Sequence, residues 1–251
     1  MRSTRALAAA FARRILTPFV PDRKMLPFMC WLNKISAYRG PYLLQVDRFR
    51  GSAGTAVDIG ANEGLFTYPL SKCFRRVVAF EINDEITSRI TQYNPGNIEL
   101  IHCGLSSAAG TIKLFIPVAH GLTLSAWGTV DREVLPQETK CIEKECRVAA
   151  LDDFKITAVD FIKIDVEGHE MEVLKGAAKT IEQSRPIVLI EVRNLHERLI
   201  EAWFLALNYQ QCRFDDHDRH LIAITEFLPS TGDCLYIPFE RLAEFGIAKS
   251  G

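Results

Sequence analysis

From residue 55 onward, short apolar runs alternate with stretches whose apolar residues recur at helical spacing. The runs 55–59, 77–81, 98–103, 111–116, 160–164 and 187–192 have the length and branched-residue content of buried strands. Between them, periodic stretches predict helices over 64–74, 84–93, 169–183 and 195–207. Asn83 is placed to cap the second, and Asn94-Pro95-Gly96-Asn97 closes it. The third would bury Met171, Leu174, Ala178 and Ile181 and stop before Pro186. Asn194 with Glu197 makes a capping-box-like start to the fourth, and Asn208 ends it. Pro69 falls about one turn into 64–74, which predicts a kink or an early break. Residues 209–226 and 233–239 read as a closing antiparallel pair. Strands alternating with helices predict an α/β fold: a mostly parallel sheet, right-handed crossovers, and ligands at the carboxyl ends of the strands. One stretch breaks the pattern. Residues 117–147, punctuated by Pro117, Gly121, Gly128 and Pro136 around Trp127, show no clear period and read as a long irregular functional loop.

The first 50 residues differ from the rest. They carry ten Lys/Arg against Asp22 and Asp47, a charge of +8, so the other 201 residues hold −9. Leu7, Phe11 and Ile15 line one side of an amphipathic helix over 2–16, with Arg2, Arg5 and Arg13 opposite. That helix could dock on its own domain or a second copy, or rest on an anionic membrane surface. A secretory signal fits poorly, because Arg13-Arg14 interrupts a short apolar stretch. Pro18, Pro21 and Pro27 predict a linker, followed by one or two helical segments over 28–50 that cap the domain. The organisation expected is a basic N-terminal arm over 1–50 and a single α/β domain over 51–251. An acidic globe with a basic arm argues against nucleic acid as the main substrate. Seven scattered cysteines fit a reducing compartment, and no apolar run reaches membrane-span length. A cytoplasmic protein, in peripheral contact with the inner face of a membrane if the basic helix binds there, is the localisation expected. Oligomeric state is not readable from these patterns.

The candidate chemistry gathers at the strand ends. Val57-Asp58-Ile59-Gly60-Ala61-Asn62-Glu63-Gly64 reads as a buried strand turning sharply into a helix. Its glycines allow a tight turn and close approach to a ligand, and unpaired helix N–H groups would suit a nucleotide or a carboxylate. The dinucleotide fingerprint G-x-G-x-x-G is absent, because position 62 is Asn. The next strand ends in Glu81, followed by Ile82, where an acid is placed to take both hydroxyls of a ribose. Asp165 and Glu191 end two further strands, so four separate strands deliver an acid to one rim. Acids are poor strand residues and are rarely buried unpaired, so the coincidence calls for a function. Glu167 and His169 extend the cluster, with His169 able to donate or accept near neutral pH. His102 and Gly104 follow the third strand, where His102 could pack on a bound ring or sit in the core. Asp215–His220 is metal-like in composition but reads better as a solvated hairpin turn. Cys141 and Cys146 lack the partnering pair of a zinc site, and four acids by themselves do not demand a metal.

Taken together and in order, these segments, with Leu151-Asp152-Asp153-Phe154, Phe161-Ile162-Lys163-Ile164-Asp165-Val166-Glu167-Gly168-His169-Glu170, Leu174-Lys175-Gly176-Ala177 and Ile190-Glu191, resemble the FkbM family of S-adenosylmethionine-dependent methyltransferases over roughly residues 55–195. The resemblance implies the class I methyltransferase fold, a Rossmann-like, seven-stranded, mostly parallel sheet with its last strand antiparallel and helices on both faces. It implies that Asp58, Gly60, Ala61, Asn62 and Gly64 hold the methionine part of S-adenosyl-L-methionine, that Glu81 with Ile82 holds the ribose, and that the segment containing His102 and Gly104 meets the adenine edge. It further implies O-methylation of a hydroxyl on a sugar, glycan or other small natural product. Asp165 is the base expected to take the hydroxyl proton, with Glu167, His169 and Glu191 orienting the acceptor. Two departures from the family pattern are Ile82-Asn83 after Glu81, where proline is frequent, and Pro69 in the first helix. An NAD-dependent oxidoreductase on a related fold and a non-catalytic cofactor-binding scaffold are the rival readings.

Overall fold

The computed structural model describes residues 17–36, 42, 45–119, 122–192, 197–215, 220–225 and 232–247. The expected helix over 2–16, the cap residue Asn194 and most of the 215–220 turn lie outside the described residues. The strands are β1 (Thr55–Ile59), β2 (Arg76–Glu81), β3 (Ile98–His102), β4 (Gly104–Leu105), β5 (Gly110–Ala119), β6 (Leu122–Thr123), β7 (Cys141–Ala149), β8 (Val159–Ile164), β9 (Ile187–Val192), β10 (Tyr209–Phe214), β11 (Leu221–Ala223) and β12 (Gly232–Pro238).

The apolar runs at β1, β2, β8 and β9 are continuous because both of their faces are covered. Ala56, Val77, Ala79, Phe161, Ile187, Leu189 and Leu235 fill one side, and Val57, Ile59, Val78, Phe80, Ile162, Ile164, Val188 and Ile190 the other. The main sheet runs β11-β10-β12-β9-β8-β1-β2-β3. From β3 to β9 all neighbours are parallel, whereas β12 lies antiparallel between β9 and β10. Seven of these strands are those implied by the resemblance, and β11 is an eighth. The 209–226 stretch is too long for one ordinary strand, so it turns back and pairs with itself as β10 and β11.

Helix α1 (Asp22–Ser36) forms where a linker is expected around Pro27. The proline removes one backbone bond and costs about 3 kcal/mol, but Leu26, Met29 and Cys30 at helical spacing are buried. Several buried apolar side chains offset that cost, at about 1.5–3 kcal/mol each. Helix α2 (Thr67–Cys73) starts three residues later than its apolar pattern predicts. Pro69 therefore occupies the first turn, where a missing N–H is tolerated and no break follows. A 3₁₀ turn at Asp84–Ile86, whose amide Glu85 N donates to the Asn83 side chain, leads into α3 (Ser88–Tyr93). The single helix expected over 169–183 is two, α4 (Glu170–Gly176) and α5 (Ala178–Ser184). Gly176 passes so close to the Ser106 carbonyl that a Cβ would lie 2.0 Å from its oxygen. Val173 and Ala177 take the fully buried positions expected of Met171 and Ala178. Helix α6 (Glu197–Ala206) ends at Asn208, in the left-handed region at φ 60°.

The 117–147 stretch is not an irregular loop. β5 runs on to Ala119 and pairs antiparallel with β7 in a second sheet, ordered β4-β7-β5-β6. The pattern hides β7 because one of its faces stays wet: Glu143, Glu145 and Arg147 are exposed, and only Cys146 and Val148 are buried. Between β6 and β7 two 3₁₀ turns, Ser125–Trp127 and Arg132–Val134, hang over the carboxyl edge of the main sheet. All seven cysteines are free thiols. Among the described residues no helix is long and apolar enough to cross a membrane.

Candidate functional site

The carboxyl edge of the main sheet opens into a cleft of about 680 Å³. Strand register sets its floor. Asp58 and Lys163 are direct neighbours on β1 and β8, and Glu191 and Asp233 are direct neighbours on β9 and β12. Period-2 alternation places all four on the sheet face that carries Ala56, Phe161, Leu189 and Leu235. Glu81, two residues beyond Ala79, shares that face, and Asp165 follows β8 with its amide donating to Ile59 O at 3.0 Å. The strand-end acids thus form a row along one edge. Asp165, Glu167, His169, Glu191, Gly60, Asn62, Glu81, Ile82 and Gly104 line the cleft. Asp58, Ala61, Gly64 and His102 do not. Asp58 is buried beneath the floor and accepts the Thr67 hydroxyl proton at 2.6 Å. Gly64 turns toward Leu26 and Ile90, and His102 is exposed at the end of β3.

The glycine turn works by close approach. Gly60 has φ +76°, and a Cβ there would lie 1.9 Å from the Asp165 carbonyl oxygen. The expected seat of free N–H groups is absent at 60–64. Gly60 and Ala61 both donate to Phe80 O, Asn62 to Glu81, Glu63 to the Asn62 side chain and Gly64 to Ala61 O. These bonds fix the turn against β2, so it offers shape and side chains to a ligand rather than backbone donors.

Glu81 is buried, and its two oxygens accept N–H bonds from Asn62 at 2.7 Å and Asn83 at 2.8 Å. Burial pushes its carboxyl up to about 7; the backbone donors pull the other way, and the charge of Asp58 adds to the rise. Each oxygen keeps lone pairs for further donors from the cleft. Ile82, Leu105, Leu114 and Val148 give the cleft an apolar end beside it.

Lys163 is fully buried, with its ammonium 3.6 Å from both Asp165 Oδ2 and Asp233 Oδ1 and 5.2 Å from the Phe66 ring centroid. It donates to Ile164 O at 3.1 Å. Burial works against its charge, but Asp165, then Asp233, Glu191 and Asp58, outweigh that, and its pKa lies above the usual lysine value.

The opposite wall of the cleft is built by the second sheet and the turns that follow β6. Asn62 Nδ2 donates to Ala126 O at 2.9 Å and Asn83 Nδ2 to Ser125 O at 3.2 Å, so the loops after β1 and β2 both hold the 125–127 turn across the cleft. Trp127, 69% exposed, projects from that turn. Buried Thr129 donates to Glu167 O at 2.8 Å and fixes the loop in which Glu167 takes φ +51°. His169 sits 2.9 Å from Ser106 Oγ through Nε2, and burial holds its pKa below the usual histidine value, against the pull of Glu172 and Asp131. Among the described residues no group of three or more His, Cys, Asp or Glu side chains is arranged to hold a metal ion.

Sequence reasoning missed Lys163, Asp233, Asn83, Ser106 and Thr129 as site residues. A lone lysine in an apolar strand two residues before an acid was a usable signal for the first. Asp233 starts an antiparallel strand, which brings its N-terminal end to the same edge as the carboxyl ends of the others. Ser106 and Thr129 carry no local signal.

A strand order with one antiparallel member slotted before the last parallel strand, and acids along the carboxyl edge, defines the class I methyltransferase fold. Residues 46–217 match the family model described as "Methyltransferase FkbM domain", and the chain belongs to that family. It is 30% identical over 138 residues to the hexuronic acid methyltransferase AglP of Haloferax volcanii, covering 54% of each chain. It is 28% identical over 152 residues to the methyltransferase sdnD of Sordaria araneosa, covering 48% of this chain and 59% of that one. The chain thus spans little more than half the length of these curated relatives. A crystal structure of methyltransferase FkbM from Methylobacillus flagellatus shares the fold with a TM-score of 0.50 and 21% identity, over 91% of this chain and 60% of that one.

Proposed function

We propose that this protein is an S-adenosylmethionine-dependent O-methyltransferase acting on a hydroxyl of a sugar, glycan or other small natural product. The observation that carries the reading is Glu81: a buried carboxyl group facing the cleft, fixed by two backbone donors and flanked by the apolar side chains of Ile82, Leu105, Leu114 and Val148. Those groups fit a nucleoside, with ribose hydroxyls donated to Glu81 and the base against Ile82, Leu105, Leu114 and Val148. The row of Asp165 and Glu191 gives the neighbouring floor the negative charge that a sulfonium and an ammonium favour. S-adenosylmethionine would supply an activated methyl group. The Haloferax relative, a hexuronic acid methyltransferase, supports a sugar acceptor.

On the acceptor side the protein must position a hydroxyl and take its proton. Asp165, the base expected from sequence, is paired with Lys163. His169 suits the task better, because it is neutral at pH 7 and an imidazole titrates nearer that pH than a carboxylate does. With Nε2–H donated to Ser106 Oγ, Nδ1 keeps the lone pair that accepts the proton. Glu167 and Glu191 then accept bonds from other hydroxyls of the acceptor, and Trp127 offers an aromatic face at the mouth.

Thermal-shift titration with S-adenosylhomocysteine and NAD tests the cofactor. Stabilisation by the first alone is expected, and stabilisation by NAD alone would refute the reading. Labelled S-adenosylmethionine and a cell extract, fractionated into glycan, lipid and small-molecule pools, then identifies the acceptor. Label stable to mild base and recovered as a methyl ether is the expected product.

A further inference from the structure

We infer that Lys163 is a positioning residue: its buried ammonium lets Asp165 and Glu191 stand ionised side by side at the cleft floor. Asp58 on β1, Asp165 after β8, Glu191 on β9 and Asp233 on β12 all converge on one sheet face, and Lys163 lies among them with 1% exposure. Carboxylates crowded this way repel one another, and such groups ordinarily relieve the repulsion by keeping a proton. A protonated Asp165 or Glu191 would offer the cleft a donor where the cofactor's cationic groups call for an acceptor. Lys163 removes the need. Its ammonium sits 3.6 Å from Asp165 and from Asp233, and its neighbour on β1 is Asp58.

Its surroundings fix that placement. The Phe66 ring faces the ammonium at 5.2 Å, Ile164 O accepts one of its protons, and the Thr67 hydroxyl donates to Asp58. Glu81 feels the charge of Asp58, and the buried phenol of Tyr42 feels that of Asp233. Lys163 does not line the cleft, whereas Asp165, Glu191 and Asp233 do, so its contribution to catalysis passes through their charge.

The consequence for the reaction rests on the cofactor reading above, but the first test does not. Carboxyl carbons of the wild-type protein, labelled at Asp and Glu, are followed by NMR from pH 4 to pH 9. Asp165 and Glu191 are expected to titrate below about pH 5, in or under the ordinary carboxylate range. Either one titrating above pH 6 overturns the proposal, with no variant needed. In Lys163→Met at least one of the two is expected to move above pH 6, and in Lys163→Met/Asp233→Asn, which sheds a negative charge as well, both return toward the wild-type range. If Lys163→Met folds and both groups still titrate as in wild type, Lys163 is not what keeps them charged. The binding readout follows separately. Relative to wild type, Lys163→Met should lose affinity for S-adenosylhomocysteine as the pH falls from 8.5 to 6.5, by about tenfold where the displaced carboxyl titrates near pH 7.5, one unit above the lower limit. An equal loss at every pH would mark a merely structural lysine. Failure of wild-type protein to bind S-adenosylhomocysteine would refute the cofactor reading and leave the titration result standing.

Discussion

Replacing Glu81 by Gln turns the electrostatics of the cleft into a measurable pH dependence. In the folded protein its carboxyl is pushed from 4.5 up to about 7, first by burial. At 1.36 kcal/mol per pH unit, that displacement is worth roughly 3 kcal/mol. The sign follows from which state holds the proton. Below about pH 4.5 both folded and unfolded chains are protonated at this position and nothing is lost. Between pH 4.5 and 7 the unfolded chain gives up its proton while the folded one keeps it, so stability falls as pH rises. Above pH 7 the full cost of about 3 kcal/mol is present and constant. The amide of Glu81→Gln cannot ionise, so this component vanishes from the variant. Its NH₂ also turns toward one of the two backbone donors, Asn62 N or Asn83 N, at a cost of about 1–3 kcal/mol. That cost does not depend on pH and cancels in the comparison. Urea denaturation of both proteins at pH 5 and pH 8 is the assay. The wild type should lose about 2–3 kcal/mol more than Glu81→Gln between the two. Parallel pH curves, within about 0.5 kcal/mol, would refute the buried-carboxylate argument. A ligand whose hydroxyls donate to Glu81 favours its charged form. Calorimetric binding of S-adenosylhomocysteine at pH 7 should therefore release roughly half a proton in wild type and none through this position in Glu81→Gln.

Other outcomes follow from single contacts. Gly60→Ala puts a Cβ against the Asp165 carbonyl at a positive φ, and should lower stability by at least about 2 kcal/mol and abolish cofactor binding, read by thermal melting with and without S-adenosylhomocysteine. Trp127→Ala should leave the melting temperature and cofactor affinity unchanged, because the side chain is 69% exposed, while raising the acceptor KM about tenfold. An unchanged KM would remove Trp127 from the acceptor site. Ser106→Ala frees the His169 ring and should cut the methyl-transfer rate about five- to tenfold, the worth of one hydrogen bond. With His169 held below its usual pKa, the wild-type rate should stay level near neutrality and fall only below about pH 6.5 as the imidazole takes a proton.

The sequence by itself determined the alternation of buried strands and helices, the parallel core of the sheet and the acids at the ends of four strands. These are local properties: a strand covered on both faces must be apolar throughout, so Asp58, Glu81, Asp165 and Glu191 stand out against their neighbours. The tertiary structure decided the rest, for reasons no local pattern carries. Helix α1 holds despite Pro27 because its buried face outweighs the lost backbone bond. The glycine turn spends its N–H groups on Phe80, Glu81 and itself because β2 lies beside it. β7 forms because β5 supplies a partner, although its wet face masks the alternation. Lys163 meets Asp233 from a strand far along the chain, and Ser106 meets His169 across the two sheets. Charge at a strand end is written into the chain, but which charges face one another depends on register and strand order, and those are fixed only when the core closes.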